Sequence, residues 1–234
     1  MPVFRIPDDL IFPDPDLAEE DGLLGLGGDL RPERLLLAYA NGIFPWFSKG
    51  EPIMWWSPEP RCVLHPDKLK VSTSLRQALK KADYEIRFDT CFREVIKHCS
   101  ATKRKGQRGT WITKEMVEAY IRLHELGHAH STEVFMDGEL AGGLYGVSVG
   151  MTYSGESMFH LRPEASKIAL WHLVKRLKEW KFPLIDCQVT NPHLLSLGAE
   201  EMPRKDFLKH ILKSREKKGH VGKWGKVIHH AREV

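Results

Sequence analysis

The sequence has 234 residues, of which 42% are hydrophobic, and a formal net charge of +4. That is enough chain for one large core or a moderate core with a small companion, but its apolar runs are too short to cross a bilayer, and no cationic start followed by an apolar segment marks it for export. Four cysteines without a C-x-x-C pair supply neither a zinc cage nor a disulfide framework, so a reducing cytoplasm is expected.

Charge is divided unevenly. Residues 1–30 hold eight acids and one base, Arg5, which leaves 34 bases against 23 acids and a net +11 for the remainder. The bases group at Lys68, Lys70, Arg76, Lys80 and Lys81, at Lys103, Arg104, Lys105 and Arg108, and in the tail from Arg204 to Lys226. Solvated surface explains any one group, whereas several together suit a polyanionic partner.

In chain order, GLLGLGGDLRPERLLLAYANGIF predicts a glycine turn, Asp29 as a helix cap, and a largely apolar helical face at Leu35, Leu36 and Tyr39. No G-K-[ST] follows the glycines, which removes a phosphate-loop reading. FPWFSKGEPIMWWSPEPRCVL places Trp46, Trp55 and Trp56 among prolines, either as a satellite core or as a pocket wall for flat groups. Beyond it the pattern changes, so a small N-terminal domain is expected over residues 1–62 and a larger domain over 63–234.

A helix beginning near Thr113 presents Ile112, Met116, Ala119, Tyr120, Leu123 and Leu126 as its apolar face. It runs into HELGHAHS, whose first five residues fit the H-E-x-x-H zinc pattern. His124 and His128 fall on the flank of that face, however, and no third ligand follows at a suitable spacing, so a zinc peptidase is the weaker reading. The next stretch, HSTEVFMDGELAGGLYGVSVGMTYSGESMF, reads as a β-meander with its first turn at Asp137 and Gly138. A helix at ASKIALWHLVKRLKEW and a strand at PLIDCQV complete a mixed α+β pattern. Period two puts Asp186 and Gln188 on one face of that strand and Ile185, Cys187 and Val189 on the other. An acid beside an amide on an apolar strand must bond its neighbour or a ligand.

GIFPWF, WWSPEPR, GTWIT, AYIRLHELGHAHS, GGLYGV, GESMF, ASKIAL, LIDCQV and HLLSLGAEEMPR occur in this order over roughly residues 20–210. So arranged, they resemble the leucyl/phenylalanyl-tRNA protein transferases. The resemblance implies an acyl-CoA N-acyltransferase-like α+β fold: a mixed, largely antiparallel sheet with flanking helices, plus a small N-terminal domain. It implies a cytoplasmic, monomeric enzyme that moves Leu or Phe from aminoacyl-tRNA to the N-terminal amine of proteins beginning with Lys or Arg, marking them for degradation.

The family pattern assigns catalysis to Asp186, Gln188 and Glu156, and substrate binding to Trp46, Trp111, Leu144, Tyr153 and Met158. Arg76, Lys80 and Lys81 are the candidates for tRNA phosphates. Neither metal nor other cofactor is expected, because an aminoacyl ester is already activated. The alternative is an acyl-CoA-dependent N-acyltransferase, yet SMFHLRPEASK lacks the glycine-rich turn that would hold the pyrophosphate of coenzyme A.

Overall fold

The computed structural model of the protein describes residues 3–81, 83–102 and 110–225. The basic residues Lys103, Arg104, Lys105, Arg108 and Lys226, and the side chain of Lys81, lie outside the described residues. The chain runs β1 (Phe4–Ile6), β2 (Leu23–Gly27), α1 (Pro32–Tyr39), β3 (Phe44–Pro45), β4 (Met54–Trp56), β5 (Arg61–Leu64) and α2 (Thr73–Lys81). It continues through β6 (Glu85–Phe88), α3 (Phe92–Ala101), α4 (Lys114–Glu125), β7 (Ala129–Met136), β8 (Glu139–Val149), β9 (Thr152–His160) and α5 (Ala165–Glu179). Then follow β10 (Leu184–Gln188), α6 (Pro192–Ser196), β11 (Glu200–Met202) and α7 (Arg204–Arg215).

Two sheets result. The smaller has the order β1-β2-β4-β3, and the larger β11-β5-β10-β9-β8-β7-β6. Every neighbouring pair in the larger sheet is antiparallel except β9 and β10. This is the mixed, largely antiparallel α+β architecture anticipated from the sequence. A tight turn cannot join parallel neighbours, and α5 supplies the crossover. The Asp137-Gly138 turn between β7 and β8 has φ of 54° and 78°, the primed geometry that matches strand twist.

The larger sheet is covered on both sides. Alternation along β8 sends Tyr145 and Val147 into one core with residues of α1, α3, α4 and the small sheet, and Leu144 into the other with α2 and α5. The first core joins Leu24, Leu35 and Trp55 to Phe92, Met116 and Tyr120, so packing is continuous across the expected domain division. That division, between residues 62 and 63, falls inside β5, whose four residues are all buried. On the other side, Gly142 lets the first turn of α5 lie close against the sheet. A Cβ there would sit 2.7 Å from the Cβ of Ala165.

Several local expectations shift. LLGLG is the strand β2, and the glycine turn before α1 falls at its end, where Gly27 and Gly28 have φ of 94° and 70°. Pro32 occupies the first helical position of α1, where a missing N–H costs nothing, so Arg31 is the cap residue; Asp29 instead accepts from Arg31 N at 2.9 Å. Trp55 is fully buried while Trp46 lines a cavity, so the tryptophan cluster supplies both core and pocket wall.

The H-E-x-x-H segment does not sit on one helical turn: α4 ends at Glu125, and Gly127, at φ 79°, turns the chain out before His128. His124 Nδ1 donates to the Ala129 carbonyl at 2.8 Å and stacks on Phe92. Gly222 N donates to Gly127 O, Trp224 stacks on His130 at 3.9 Å between ring centres, and His130 Nδ1 and Trp224 N both donate to Asp89. The segment thus fastens the chain after α7 to the body of the fold. Among the described residues, no helix is long and apolar enough to span a membrane.

Candidate active site

Strands β9 and β10 pair in parallel only through Leu184–Thr152, Ile185–Tyr153 and Asp186–Ser154. Beyond that point they separate, and the residues that follow on each strand, Gly155 to Met158 and Cys187 to Asn191, line a cavity of about 430 Å³. A splayed parallel pair leaves main-chain and side-chain groups unpaired at the centre of a rigid sheet. It is therefore a natural place to position substrate without a mobile loop.

Beneath this opening, outside its lining, lies an ion pair. Asp186, 1% exposed, accepts from Arg61 through Nε at 2.8 Å and Nη2 at 2.7 Å, and from Ser154 Oγ at 3.1 Å. Arg61 also donates from Nη1 to Gly42 O at 3.1 Å, and its guanidinium lies between the rings of Phe44 and Phe207. Two charges removed from water persist only when such bonds satisfy them.

The fourth bond to Asp186 shapes the site. Its Oδ1 accepts from the backbone N–H of Gln188 at 2.9 Å, and Gln188 takes a left-handed φ of 63°. The pairing register of β10 with β5 slips at the same place, between Asp186 and Gln188. Simple alternation is therefore broken: Gln188 lines the cavity together with Ile185, Cys187 and Val189, whereas Asp186 lies beneath it. The expected shared face is corrected by this bulge, which re-aims one side chain. Asp186 thus acts on Gln188 through the main chain.

Gln188 Nε2 donates to Glu156 Oε1 at 2.7 Å. Ionised, Glu156 can only accept, and in that form this contact turns the amide nitrogen toward it. The Gln188 carbonyl oxygen is left with no partner among the described residues. Tyr39 Oη lies 2.8 Å from Glu156 Oε1, Tyr120 Oη lies 3.2 Å from Oε2, and the two hydroxyls meet each other; two phenol protons cannot serve three contacts, so the ring of bonds closes only when the Glu156 carboxyl carries the third. Burial, aided by the charge of Asp186, pushes the Glu156 carboxyl up to about 7, while bonds from Tyr39, Tyr120 and Gln188 oppose the rise. Burial first, then the Glu156 charge, holds both tyrosine hydroxyls well above their ordinary range, so they remain donors.

The raised carboxyl has a stability consequence. The folded chain keeps a proton on Glu156 between about pH 4.5 and 7 that the unfolded chain releases, so this group's contribution declines as pH rises through that window and is flat above it. Glu133, fully buried where Glu156 is half-buried at the cavity wall, is also pushed up to about 7 and acts in the same direction. Glu156→Gln should therefore flatten the fall in stability between pH 5 and pH 8 and gain on the order of 1–2 kcal/mol at pH 8. Urea midpoints at the two pH values test this; an unaltered pH dependence would contradict the burial of an ionising group.

The rest of the cavity is mostly apolar. Leu144, Tyr153, Met158, Leu170, Leu173 and Ile185 line one part of it, and Trp46 and Trp111 flank it. Trp46 is braced by Trp56, whose Nε1 donates to the Trp46 carbonyl at 2.7 Å. Of the residues expected from the sequence, Glu156, Gln188, Trp46, Trp111, Leu144, Tyr153 and Met158 thus share one cavity. Arg76 and Lys80 are exposed on α2, on the sheet face that α5 covers.

Arg61, Ser154, Tyr39 and Tyr120 went unassigned in the sequence. Arg61 at the head of RCVL was a usable signal, since a base in a buried strand requires an acid. Tyr39 and Tyr120 read as members of apolar helical faces, although a buried hydroxyl also needs a partner. Among the described residues, no three His, Cys, Asp or Glu side chains are grouped to hold a metal ion.

Comparison with known proteins places the same segments in a family. Residues 28–59 match the family model "Leucyl/phenylalanyl-tRNA protein transferase N-terminal domain", and residues 63–212 match "Leucyl/phenylalanyl-tRNA protein transferase". The leucyl/phenylalanyl-tRNA–protein transferase of Myxococcus xanthus (strain DK1622) is 53% identical, covering 96% of this chain and 97% of that protein. The protein of the same name from Desulforapulum autotrophicum is 54% identical, covering 96% and 98%. Among solved structures, a GCN5-related N-acetyltransferase from Kribbella flavida aligns at 10% identity with a TM-score of 0.38, over 74% of this chain and 61% of its own.

Proposed function

Since this chain belongs to the leucyl/phenylalanyl-tRNA protein transferase family and is an aminoacyltransferase, we propose that it moves leucine or phenylalanine from aminoacyl-tRNA to the N-terminal amine of proteins beginning with lysine or arginine. In this reading the product is marked for degradation and the reaction takes place in the cytoplasm. One observation carries the proposal: a carboxylate and an oriented amide, Glu156 and Gln188, open onto an apolar cavity flanked by two tryptophans.

The chemistry is undemanding. The acceptor's α-amine, with an ordinary pKa of about 7.7–8.0, attacks the ester carbonyl; an N–C bond forms, the C–O bond to ribose breaks, and the amine proton ends on the ribose hydroxyl. The free oxygen of Gln188 accepts an N–H of the amine and holds its lone pair toward the carbonyl. Glutamine is a poor base, so its task is placement, which contributes up to roughly 7–11 kcal/mol in well-oriented reactions. Asp186 and Arg61 fix the backbone from which that oxygen projects. Trp46 and Trp111 offer flat surfaces to the terminal adenosine. Leu144, Tyr153 and Met158 belong to the slot for the leucine or phenylalanine side chain, which no buried polar group adapts to hydrophilic residues. Arg76, Lys80 and Lys81 meet acceptor-stem phosphates, so transfer should fall steeply with added salt.

Glu156 supplies acceptor selectivity. Its Oε2 has a single protein donor, leaving room for the cationic first side chain, whose charge also favours ionisation of the carboxyl. Incubation with phenylalanyl-tRNA should extend a peptide beginning with arginine far better than one beginning with alanine. Glu156→Gln should narrow that preference by about tenfold or more, the worth of a charge-assisted bond. An unchanged ratio would remove Glu156 from acceptor recognition, and failure of the wild-type protein to use phenylalanyl-tRNA would overturn the proposal as a whole.

A further inference from the structure

A second cavity, of about 440 Å³, lies where β9 ends and α5 begins, lined by His160, Arg162, Glu164, Ser166 and Lys167 among others. Ser166 is only 8% exposed, yet neither its hydroxyl nor its N–H has a partner among the described residues. The unpaired N–H belongs to the first turn of a 15-residue helix, where backbone donors and the helix dipole favour an anion. Among the described residues the Arg162 guanidinium meets only the exposed Asp137, at 3.7 Å, and Lys167 meets Glu164 at 3.0 Å. Donors and cations thus converge on a recess that no protein anion fills apart from Glu164, which occupies Lys167.

The recess neighbours the reaction cavity along β9 and α5. Met158 and His160 share one face of β9, the first lining the reaction cavity and the second the recess. Along α5, Ser166 and Lys167 line the recess, and Leu170, about one turn or ~5.4 Å further on, lines the reaction cavity. His193, which lines the reaction cavity, has its pKa lowered by burial first and then by the charge of Lys167.

We propose that this recess binds a backbone phosphate of the single-stranded 3′ end of the donor tRNA, held by the Ser166 hydroxyl and N–H, Arg162 and Lys167. The inference rests on the aminoacyl-tRNA reading and extends it by giving the strand a direction, from the recess along α5 to the apolar slot. Lys167 exchanges Glu164 for the phosphate on binding, so Glu164 weakens the site when it is empty of nucleic acid.

The test compares two phenylalanyl esters on the full-length protein: phenylalanyl-adenosine, which has no phosphate, and the phenylalanyl ester of the trinucleotide CCA. Arg162→Ala and Ser166→Ala should each lower kcat/KM for the trinucleotide about five- to tenfold more than for the adenosine ester, and Arg162→Ala should reduce the salt slope for phenylalanyl-tRNA by about one. Glu164→Gln should raise kcat/KM for the trinucleotide relative to the adenosine ester. Equal effects on both donors, or none, would overturn the phosphate site while leaving aminoacyl transfer intact. A wild-type protein inactive with phenylalanyl-tRNA would remove both.

Discussion

Asp186→Ala should cost about 3–5 kcal/mol of stability, because it leaves the Arg61 guanidinium charged, buried and without its carboxylate. The pair is closed on every side: two bonds from Arg61, one from Ser154 and one from the Gln188 backbone meet the Asp186 carboxylate, while Phe44 and Phe207 cover the guanidinium. A domain of ordinary stability has roughly 5–15 kcal/mol in total, so the variant should fold only marginally. Arg61→Met should destabilise by a similar mechanism, with Asp186 now the unpaired charge. The double variant Arg61→Met/Asp186→Leu should be more stable than either single variant, since no buried charge remains, yet it should transfer no better, because Gln188 loses the acceptor that holds its backbone. Urea unfolding of the three proteins tests this. Single-variant losses below about 1 kcal/mol would mean that water reaches the pair and that it does not anchor the site.

Gln188→Ala should leave the fold intact and reduce transfer on the order of 100-fold or more, the scale of a group that positions a proton and a nucleophile together. Gln188→Gly sharpens the expectation. At a φ of 63° any side chain other than a small polar one is strained, and glycine relieves a cost of about 1 kcal/mol or more. That variant should therefore be slightly more stable than the parent and as inactive as Gln188→Ala. Gain of stability with loss of rate identifies strain held for function; equal stability and near-normal rate would assign the left-handed backbone to the bulge alone. KM for phenylalanyl-tRNA should change little in either variant, because in the proposed mechanism the amide contacts the acceptor amine and not the adenosine or the amino-acid side chain.

Much of this was legible in the chain. Period-two and period-3.6 patterns located the meander, the crossover helix and LIDCQV, because a sheet covered on both faces and long amphipathic helices impose strong local patterns. Most of the candidate site was legible too, through the order of GESMF, GTWIT and LIDCQV. What escaped was set by tertiary contact. Alternation placed Asp186 beside Gln188, but the bulge that separates them arises from a bond between Asp186 Oδ1 and the Gln188 N–H and from a slip against β5, neither visible in five residues. Tyr39 and Tyr120 lie 81 residues apart in sequence and meet only because α1 packs against α4. The H-E-x-x-H match, set aside in the sequence because its histidines flank the apolar face, proves to be a docking point instead: its second histidine falls after the helix has ended, and its glycine gives the C-terminal segment room to dock.

The most direct test is a crystal structure of the protein with a non-hydrolysable amide analogue of phenylalanyl-adenosine and a peptide beginning with arginine. The phenyl ring should occupy the slot lined by Leu144 and Met158, the adenine should stack near Trp46 or Trp111, and the peptide amine should lie within hydrogen-bond reach of Gln188 Oε1, about 3–3.5 Å from the analogue's carbonyl carbon. An analogue bound elsewhere, or an amine that approaches its carbonyl from a side Gln188 cannot touch, would contradict the account.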